Sequence, residues 1–320
     1  MGSLLFWLLS TVLATINLCL AAGYPQRPLR YIVASAAGGA PDTIARVVGA
    51  EMSKTMKQQI VVDNRAGAGG NVATELTARA APDGYTVLAC TSNHAGYPHM
   101  YKNLPFDINK DFEYITQATL SPLVLVVHPS VPAKSMQEFL SHARANPGKM
   151  NYGSSGPGGP PHIAGEMLKS MAKVNLTHIV YKGVAPALTA ALGNEVQMTF
   201  TNLFSGQPHI KGGRLRVLGV TSTKRLQAAP EWPTVAESGV PGYEASIWYG
   251  FMLPAKTPRP IVDVLHREIT HVLKLPDVSQ TFVTQGGEVI ASTPDEFRKA
   301  FLNDVERLGK VIRDAGIKAE

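Results

Sequence analysis

Cysteine is nearly absent from this chain: its 320 residues include two, Cys19 and Cys90. Cys19 lies in an N-terminal apolar stretch, and a form without that stretch would keep only Cys90. An internal disulfide and a cysteine zinc site are then both excluded, and Cys90 reads as a small core residue. Long apolar runs are scarce too. Beyond the N-terminus no stretch is long and apolar enough to cross a bilayer. Charged residues make up 17%, but 45% apolar content suffices for a core, so a mainly disordered chain is excluded. The net charge of +6 has no focus, its densest part being Lys211, Arg214 and Arg216 followed by Lys224 and Arg225. Without a nucleic-acid-binding signature, DNA and RNA are not expected as partners; a soluble basic surface that attracts anionic ligands is.

Catalytic motifs are missing as well. No H-E-x-x-H accompanies the nine histidines. His94 and His99 are expected in a loop after the strand that ends at Cys90. His266 and His271 share a late helix without metal-ligand spacing. Gly153-Ser154-Ser155-Gly156 has the wrong spacing for a nucleophile elbow. Ser154 or Ser155 with His162 is the one arrangement a hydrolase could use, but His162 falls at a helix start, where those hydroxyls serve better as donors to an anion. No complete acid, base or metal set is present, so neither an enzyme nor a cofactor is expected.

What is present begins with an export signal. Leu4 to Leu20 is uncharged and apolar, and Ala21-Ala22-Gly23 follows as a small-residue cleavage site. No Lys or Arg precedes the run, and its length would just span a bilayer, so an uncleaved anchor is the competing reading. From Leu29 onward strands and helices alternate: strands at 29–33, 60–63 and 86–89, with helices at 43–56 and 71–79 between them. This order predicts a parallel sheet with helices on both faces, and ligands beyond the carboxyl ends of its strands. A continuous strand is expected at 121–128. Helices follow at 135–144, 161–172 and 185–192, strands at 151–153, 196–200 and 215–220. After a linker-like stretch at 228–233 comes a strand at 247–253, and two helices, 259–273 and 294–315, close the chain. Crossings near 121–127 and 245–253 suit a middle domain inserted into a discontinuous outer one; two consecutive domains are the alternative.

One loop type occurs twice. Ala34-Ser35-Ala36-Ala37-Gly38-Gly39-Ala40-Pro41-Asp42 and Ser154-Ser155-Gly156-Pro157-Gly158-Gly159-Pro160-Pro161-His162 each follow a strand, contain Gly-Gly-x-Pro and open a helix. Proline suits the first helical turn, where a missing N–H costs nothing. Helix N-termini carry free N–H groups and about half a positive charge, and glycine lets a ligand approach the backbone. That combination binds phosphate, sulfate or carboxylate. Tight strand-to-helix turns in an ordinary α/β protein would also use such glycines. Neither loop is a Walker motif or a dinucleotide fingerprint.

These loops belong to a longer series: Val62-Asp63-Asn64-Arg65-Ala66-Gly67-Ala68-Gly69-Gly70, Ala81-Pro82-Asp83-Gly84-Tyr85-Thr86, Tyr181-Lys182-Gly183-Val184-Ala185-Pro186-Ala187, Pro208-His209-Ile210-Lys211-Gly212-Gly213-Arg214, Pro233-Thr234-Val235-Ala236-Glu237-Ser238-Gly239 and Trp248-Tyr249-Gly250. The series resembles the Bug-type, TctC-like solute-binding proteins of tripartite tricarboxylate transporters over essentially the whole chain after the signal. The resemblance implies an α/β, two-domain periplasmic-binding-protein (Venus flytrap) fold, with hinge strands and a ligand cleft between the domains. Residues 1–22 would be the signal peptide, 24–122 and 231–320 one domain, and 123–230 the other. It further implies a periplasmic receptor, expected to be a monomer, that takes a small-molecule carboxylate and delivers it to transporter membrane subunits. A sensor that presents its ligand to a signalling partner would use the same binding step. Carried over, the ligand contacts are Ala36, Ala37, Gly38, Gly39 and Asp42 in the first loop and Ser154, Ser155, Gly156, Pro157, Gly158 and His162 in the second. Thr91, Asn93, Ala185 and Asn202 complete them. Two departures bear on the ligand. The first loop usually opens with proline and an aromatic, so Ala34-Ser35-Ala36-Ala37 predicts a roomier pocket. Thr201 stands where many members have an aspartate, which lowers the expectation of an amino-acid ligand.

Overall fold

The computed structural model describes residues 23–317 apart from Ala36, Lys182 and Gln285. The expected export signal and Cys19 lie outside the described residues, within which no helix is long and apolar enough to cross a membrane. Two mixed α/β sheets carry the chain. The first has six strands in the order β11-β4-β10-β3-β1-β2: β1 (Leu29–Val33), β2 (Ile60–Asn64), β3 (Thr86–Thr91), β4 (Phe112–Ser121), β10 (Ile247–Pro254) and β11 (Glu288–Val289). The second has five in the order β7-β6-β8-β5-β9: β5 (Val124–Val127), β6 (Asn151–Ser154), β7 (Thr177–Val180), β8 (Met198–Thr201) and β9 (Arg216–Val220). The helices are α1 (Ala40–Met56), α2 (Asn71–Ala78), α3 (Asn93–Met100), α4 (Met136–Ala145), α5 (Pro160–Ala172), α6 (Val184–Leu192), α7 (Leu203–Lys211), α8 (Arg259–Leu273), α9 (Pro276–Thr284) and α10 (Pro294–Asp314).

The period of two along the strands explains the burial. Tyr31, Val33, Val87 and Ala89 join one apolar cluster, and the alternate residues Ile32, Leu88 and Cys90 join another. Both faces of β1 and β3 are therefore covered, which accounts for their unbroken apolar character. Cys90 is a free, buried thiol, as its composition argument requires.

Several expectations are corrected. The sheets are mixed, not parallel: β10 runs antiparallel to both β3 and β4. The apolar run at 121–128 is interrupted. Ser121 ends β4, Pro122 and Leu123 cross between the sheets, and β5 begins at Val124; proline has no N–H for a ladder. His94 and His99 sit on α3, not in a loop. The first helix starts at Ala40 rather than Thr43, with Pro41 in its opening turn. Three helices, not two, close the chain, and α7, β4 and β7 carry too little periodicity to be read from sequence.

The crossings between sheets are tied together. Leu123 N–H donates to Thr221 Oγ1 at 2.7 Å, Thr221 N–H donates to Leu123 O at 2.9 Å, and Ala245 N–H donates to Thr221 O at 3.0 Å. Val235 N–H also bonds Val220 O, at 2.9 Å, and Tyr243 Oη donates to Ala164 O in α5 at 2.7 Å. The segment 234–245 therefore stays with the second sheet, and the return crossing falls at Ser246, within the crossing expected near 245–253 and later than the domain boundary drawn at 230.

Candidate functional site

In the first loop Gly38 adopts φ +84°, a left-handed conformation that glycine reaches without strain. Its N–H donates to Asp42 Oδ2 at 2.9 Å, closing the loop onto the first turn of α1. Asn64 Nδ2, at the end of β2, donates to Asp42 Oδ1 at 2.9 Å and to Ser35 O at 3.2 Å. Arg46 pairs with the same carboxylate at 3.0 Å. Burial works to raise the Asp42 pKa, but the hydrogen bonds from Arg46, Gly38 and Asn64 outweigh it and hold the carboxyl below its usual range. Asp42 was expected at the ligand; it is 2% exposed and its oxygens are spent on the loop.

The second loop repeats the device with different chemistry. Gly158, at φ +68°, donates its N–H to His162 Nδ1 at 3.0 Å, again across four residues. His162 stacks on His178 with centroids 3.9 Å apart and planes at 16°, and His178 stacks on Tyr152 at 4.8 Å. Ser154 Oγ lies 2.6 Å from His178 Nε2. Glu166 accepts from Tyr152 Oη at 2.6 Å and from Lys169 Nζ at 2.8 Å. Burial, then the neighbouring His178, pushes the His162 pKa down to about 4, so the ring is neutral and accepts through Nδ1. Like Asp42, His162 holds its loop and is absent from the cleft wall. The Ser–His pairing here is Ser154 with His178, and Ser154 is fully buried, so it offers no accessible nucleophile.

The second loop has few N–H groups left. Pro157, Pro160 and Pro161 have none, Gly158 is engaged, Gly156 N–H donates to Ser154 Oγ at 3.3 Å and Gly159 N–H donates to Gly156 O at 3.2 Å. The two loops are therefore unequal. The first is closed by a carboxylate and the second by a neutral imidazole, and the second contributes mainly shape and the field of α5.

Between the sheets lies a cleft of about 790 Å³. Of the expected contacts, Gly38, Gly39, Thr91, Asn93, Ala185 and Asn202 line it. Ala36 lies outside the described residues. Ala37 and Pro157 are exposed elsewhere on their loops, and Ser154, Ser155, Gly156 and Gly158 do not reach the wall. Gly158 instead borders a separate small cavity of about 30 Å³ shared with Asn93, Met100 and Ser246.

The wall is built from helix starts. Ala40 of α1, Asn93 of α3, Pro160 of α5, Val184 of α6 and the α7 N-cap Asn202 all border the same cleft. Asn202 Oδ1 accepts from Ser205 N–H at 2.8 Å, whereas the other four helices have no side-chain cap bond. Among the described residues the wall carries no Asp, Glu, Lys or Arg. The electrostatics of the space are thus set by the positive ends of five helices. Sequence reasoning missed His94, Tyr97, Ile247 and Tyr249, which also line it. The first two became legible only once α3 was recognised, the last two once β10 was seen to form the cleft floor.

Two α/β lobes joined by crossing strands, with a helix-rimmed cleft between them, define a two-domain binding protein. Residues 44–317 match the tripartite tricarboxylate transporter family receptor, TctC, and the chain belongs to that family. It is 35% identical over 297 residues to the UPF0065 protein in the tcbD–tcbE intergenic region of Pseudomonas sp. strain P51, covering 92% of this chain and 88% of that one. It is 33% identical to BugT of Bordetella pertussis, covering 92% and 91%. Among solved structures, Rpa4515 of R. palustris with adipate superposes with a TM-score of 0.82 at 32% identity, covering 92% and 99%. MatC of Rhodopseudomonas palustris with bound malate gives 0.78 at 28%, covering 90% and 100%. The family is one of binding receptors, and the two-domain binding-protein fold expected from sequence is the one observed.

Proposed function

We propose that this protein is an extracytoplasmic receptor that captures a small organic carboxylate in the cleft and delivers it to the membrane subunits of a tripartite transporter. The observation that carries the reading is the convergence of five helix N-termini on a cleft whose described wall holds no charged side chain. An anion is the ligand such a field favours, and hydroxyl and amide groups at Ser35, Thr91, Asn93 and Asn202 suit carboxylate oxygens. Adipate and malate in the structural neighbours agree in chemical class. In this reading Gly38 shapes the loop and Gly39 presents a main-chain donor, Thr91, Asn93 and Ala185 line the cleft, Asn202 reaches the ligand's far end, and Ser155 supplies a hydroxyl on closure. The mature protein begins after Ala22, acts as a monomer in the periplasm, and closes by bending at Pro122–Leu123 and Ser246.

A thermal-shift screen of the purified protein tests this. The panel is mono-, di- and tricarboxylates, aromatic acids, acidic amino acids and phosphate. A ligand that binds only the folded state raises the melting temperature by mass action. A rise confined to one class of carboxylate is expected; a rise with phosphate alone would count against the reading.

A further inference from the structure

His94 is the second residue of α3 and belongs to the cleft wall, yet it is 1% exposed. Its ring packs on Tyr97 with centroids 4.8 Å apart, and Tyr97 is itself fixed by donating Oη to Gly69 O at 2.6 Å. One end of the imidazole is committed: Nδ1 lies 3.1 Å from Thr91 N–H and 3.0 Å from Thr91 O. Only one of these contacts can be a hydrogen bond in a given tautomer. The amide can only donate, and in the tautomer in which Nδ1 accepts from it the ring hydrogen sits on Nε2, the form taken up below. Nε2 is buried and has no hydrogen-bond partner. An unmatched buried donor is costly, and a site built around one discriminates strongly for a ligand that satisfies it.

We propose that His94 is the specificity-determining residue of the cleft. Its Nε2–H donates to an acceptor oxygen of the ligand other than the carboxylate held at the glycine loops. The inference rests on the receptor reading above. It selects acids that carry a second oxygen acceptor. It disfavours a plain alkyl tail, which leaves Nε2 unmatched, and an ammonium group, which faces it with another donor. Burial keeps the ring uncharged, with its pKa lowered to about 4. No carboxylate or cationic side chain stands among the described residues of the wall to alter that state.

The test is calorimetric titration of the full protein, H94Q and H94F with adipate, malate, succinate and glutarate, and with hexanoate, which has the chain length of adipate but one carboxylate. Phenylalanine keeps a ring against Tyr97 and removes the donor; glutamine keeps an N–H. For the acids that wild type binds, H94F is expected to weaken binding about tenfold, and H94Q to stay within about threefold. Any affinity for hexanoate should be unchanged in both variants. Wild-type affinity retained by a folded H94F would overturn the role of His94 and leave the receptor reading standing. No binding of any of the five acids by wild type would overturn the selection proposed for His94 and leave the receptor reading to the wider thermal-shift panel. Nitrogen–proton spectra of the imidazole give a ligand-free check: hydrogen on Nε2 supports the assignment, and hydrogen on Nδ1 overturns it.

Discussion

Gly158 and His162 are joined across one helical turn by a hydrogen bond from the glycine N–H to the imidazole Nδ1, 3.0 Å long. In the other lobe Gly38 and Asp42 make the corresponding bond at 2.9 Å. Both lobes thus stabilise a left-handed glycine by an acceptor at the fourth residue on, one with a carboxylate and one with a neutral imidazole. The residue types differ in how they respond to acid, and that difference can be measured.

His162 titrates at about 4 in the folded protein, below the ordinary 6.5. The unfolded chain therefore takes up a proton at a pH where the native site does not. The sign follows: this contribution is fully present above about pH 6.5 and is lost as pH falls toward about 4. H162Q keeps an acceptor for Gly158 but cannot titrate. Between pH 6.5 and pH 4 the wild type should lose about 1–3 kcal/mol more stability than H162Q. Urea unfolding at several pH values measures the difference. Ligand affinity is a poorer probe, since carboxylates also protonate near pH 4. Parallel pH curves for the two proteins would count against a neutral His162.

In the proposed receptor Asp42 acts on the ligand only through the loop. D42A removes the acceptor for Gly38 N–H and leaves Asn64 and Arg46 without their shared partner. A loss of about 1–3 kcal/mol of stability is expected, as for other buried polar groups left unpaired. D42N retains one acceptor oxygen and should lose less. If Asp42 touched the ligand directly, D42N would abolish binding without affecting stability, and comparing denaturation with titration separates the two outcomes.

Much of this was legible before the fold was known, and the reasons are physical. Near-continuous apolar runs in β1 and β3, and proline in the first turn of α1 and α5, mark strand, loop and helix start within a short span. The cleft therefore followed from Gly38, Thr91 and Asn202 standing at strand ends. The partners that hold the loops were not legible. Asp42 and His162 sit at the expected position, but whether an acceptor turns toward a ligand or back onto its own glycine depends on Asn64 and His178, which come from other strands. α3 was missed because Gly96 and Pro98 weaken its helical pattern. The mixed first sheet was missed because β10 reads as another buried apolar strand, and direction is not encoded in that pattern.

Gly38 tests the geometry of the first loop without a steric confound. A Cβ built there meets nothing within 4 Å, so the φ of +84° is the obstacle to a side chain. G38A should cost about 1–2 kcal/mol of stability from backbone strain alone. G38V adds a β-branched side chain at the mouth of the cleft and should abolish carboxylate binding. At Gly158 the same alanine substitution places its Cβ 2.2 Å from Met100 Sδ, at φ +68°. G158A should therefore be the more destabilising of the two. Thermal denaturation ranks them, and titration of G38V with any acid that stabilises the wild type tests the loop as a binding element.

Thr221 joins the two crossings between the sheets. Its side chain is fully buried where the crossings pass one another. Oγ1 accepts from Leu123 N–H at 2.7 Å and lies 3.2 Å from Ala245 O, to which it donates. One hydroxyl thus bonds both crossing segments, the ones that bend in the proposed closure. T221V matches the shape of threonine but leaves the Leu123 amide and the Ala245 carbonyl without this partner. T221S keeps the hydroxyl and loses one methyl group. T221V should cost about 1–3 kcal/mol, and T221S about 1 kcal/mol, the scale of a buried methyl. Chemical denaturation of both variants decides it: a T221V as stable as T221S would mean that packing alone holds the crossings in register, and that the hydroxyl has no part in the hinge.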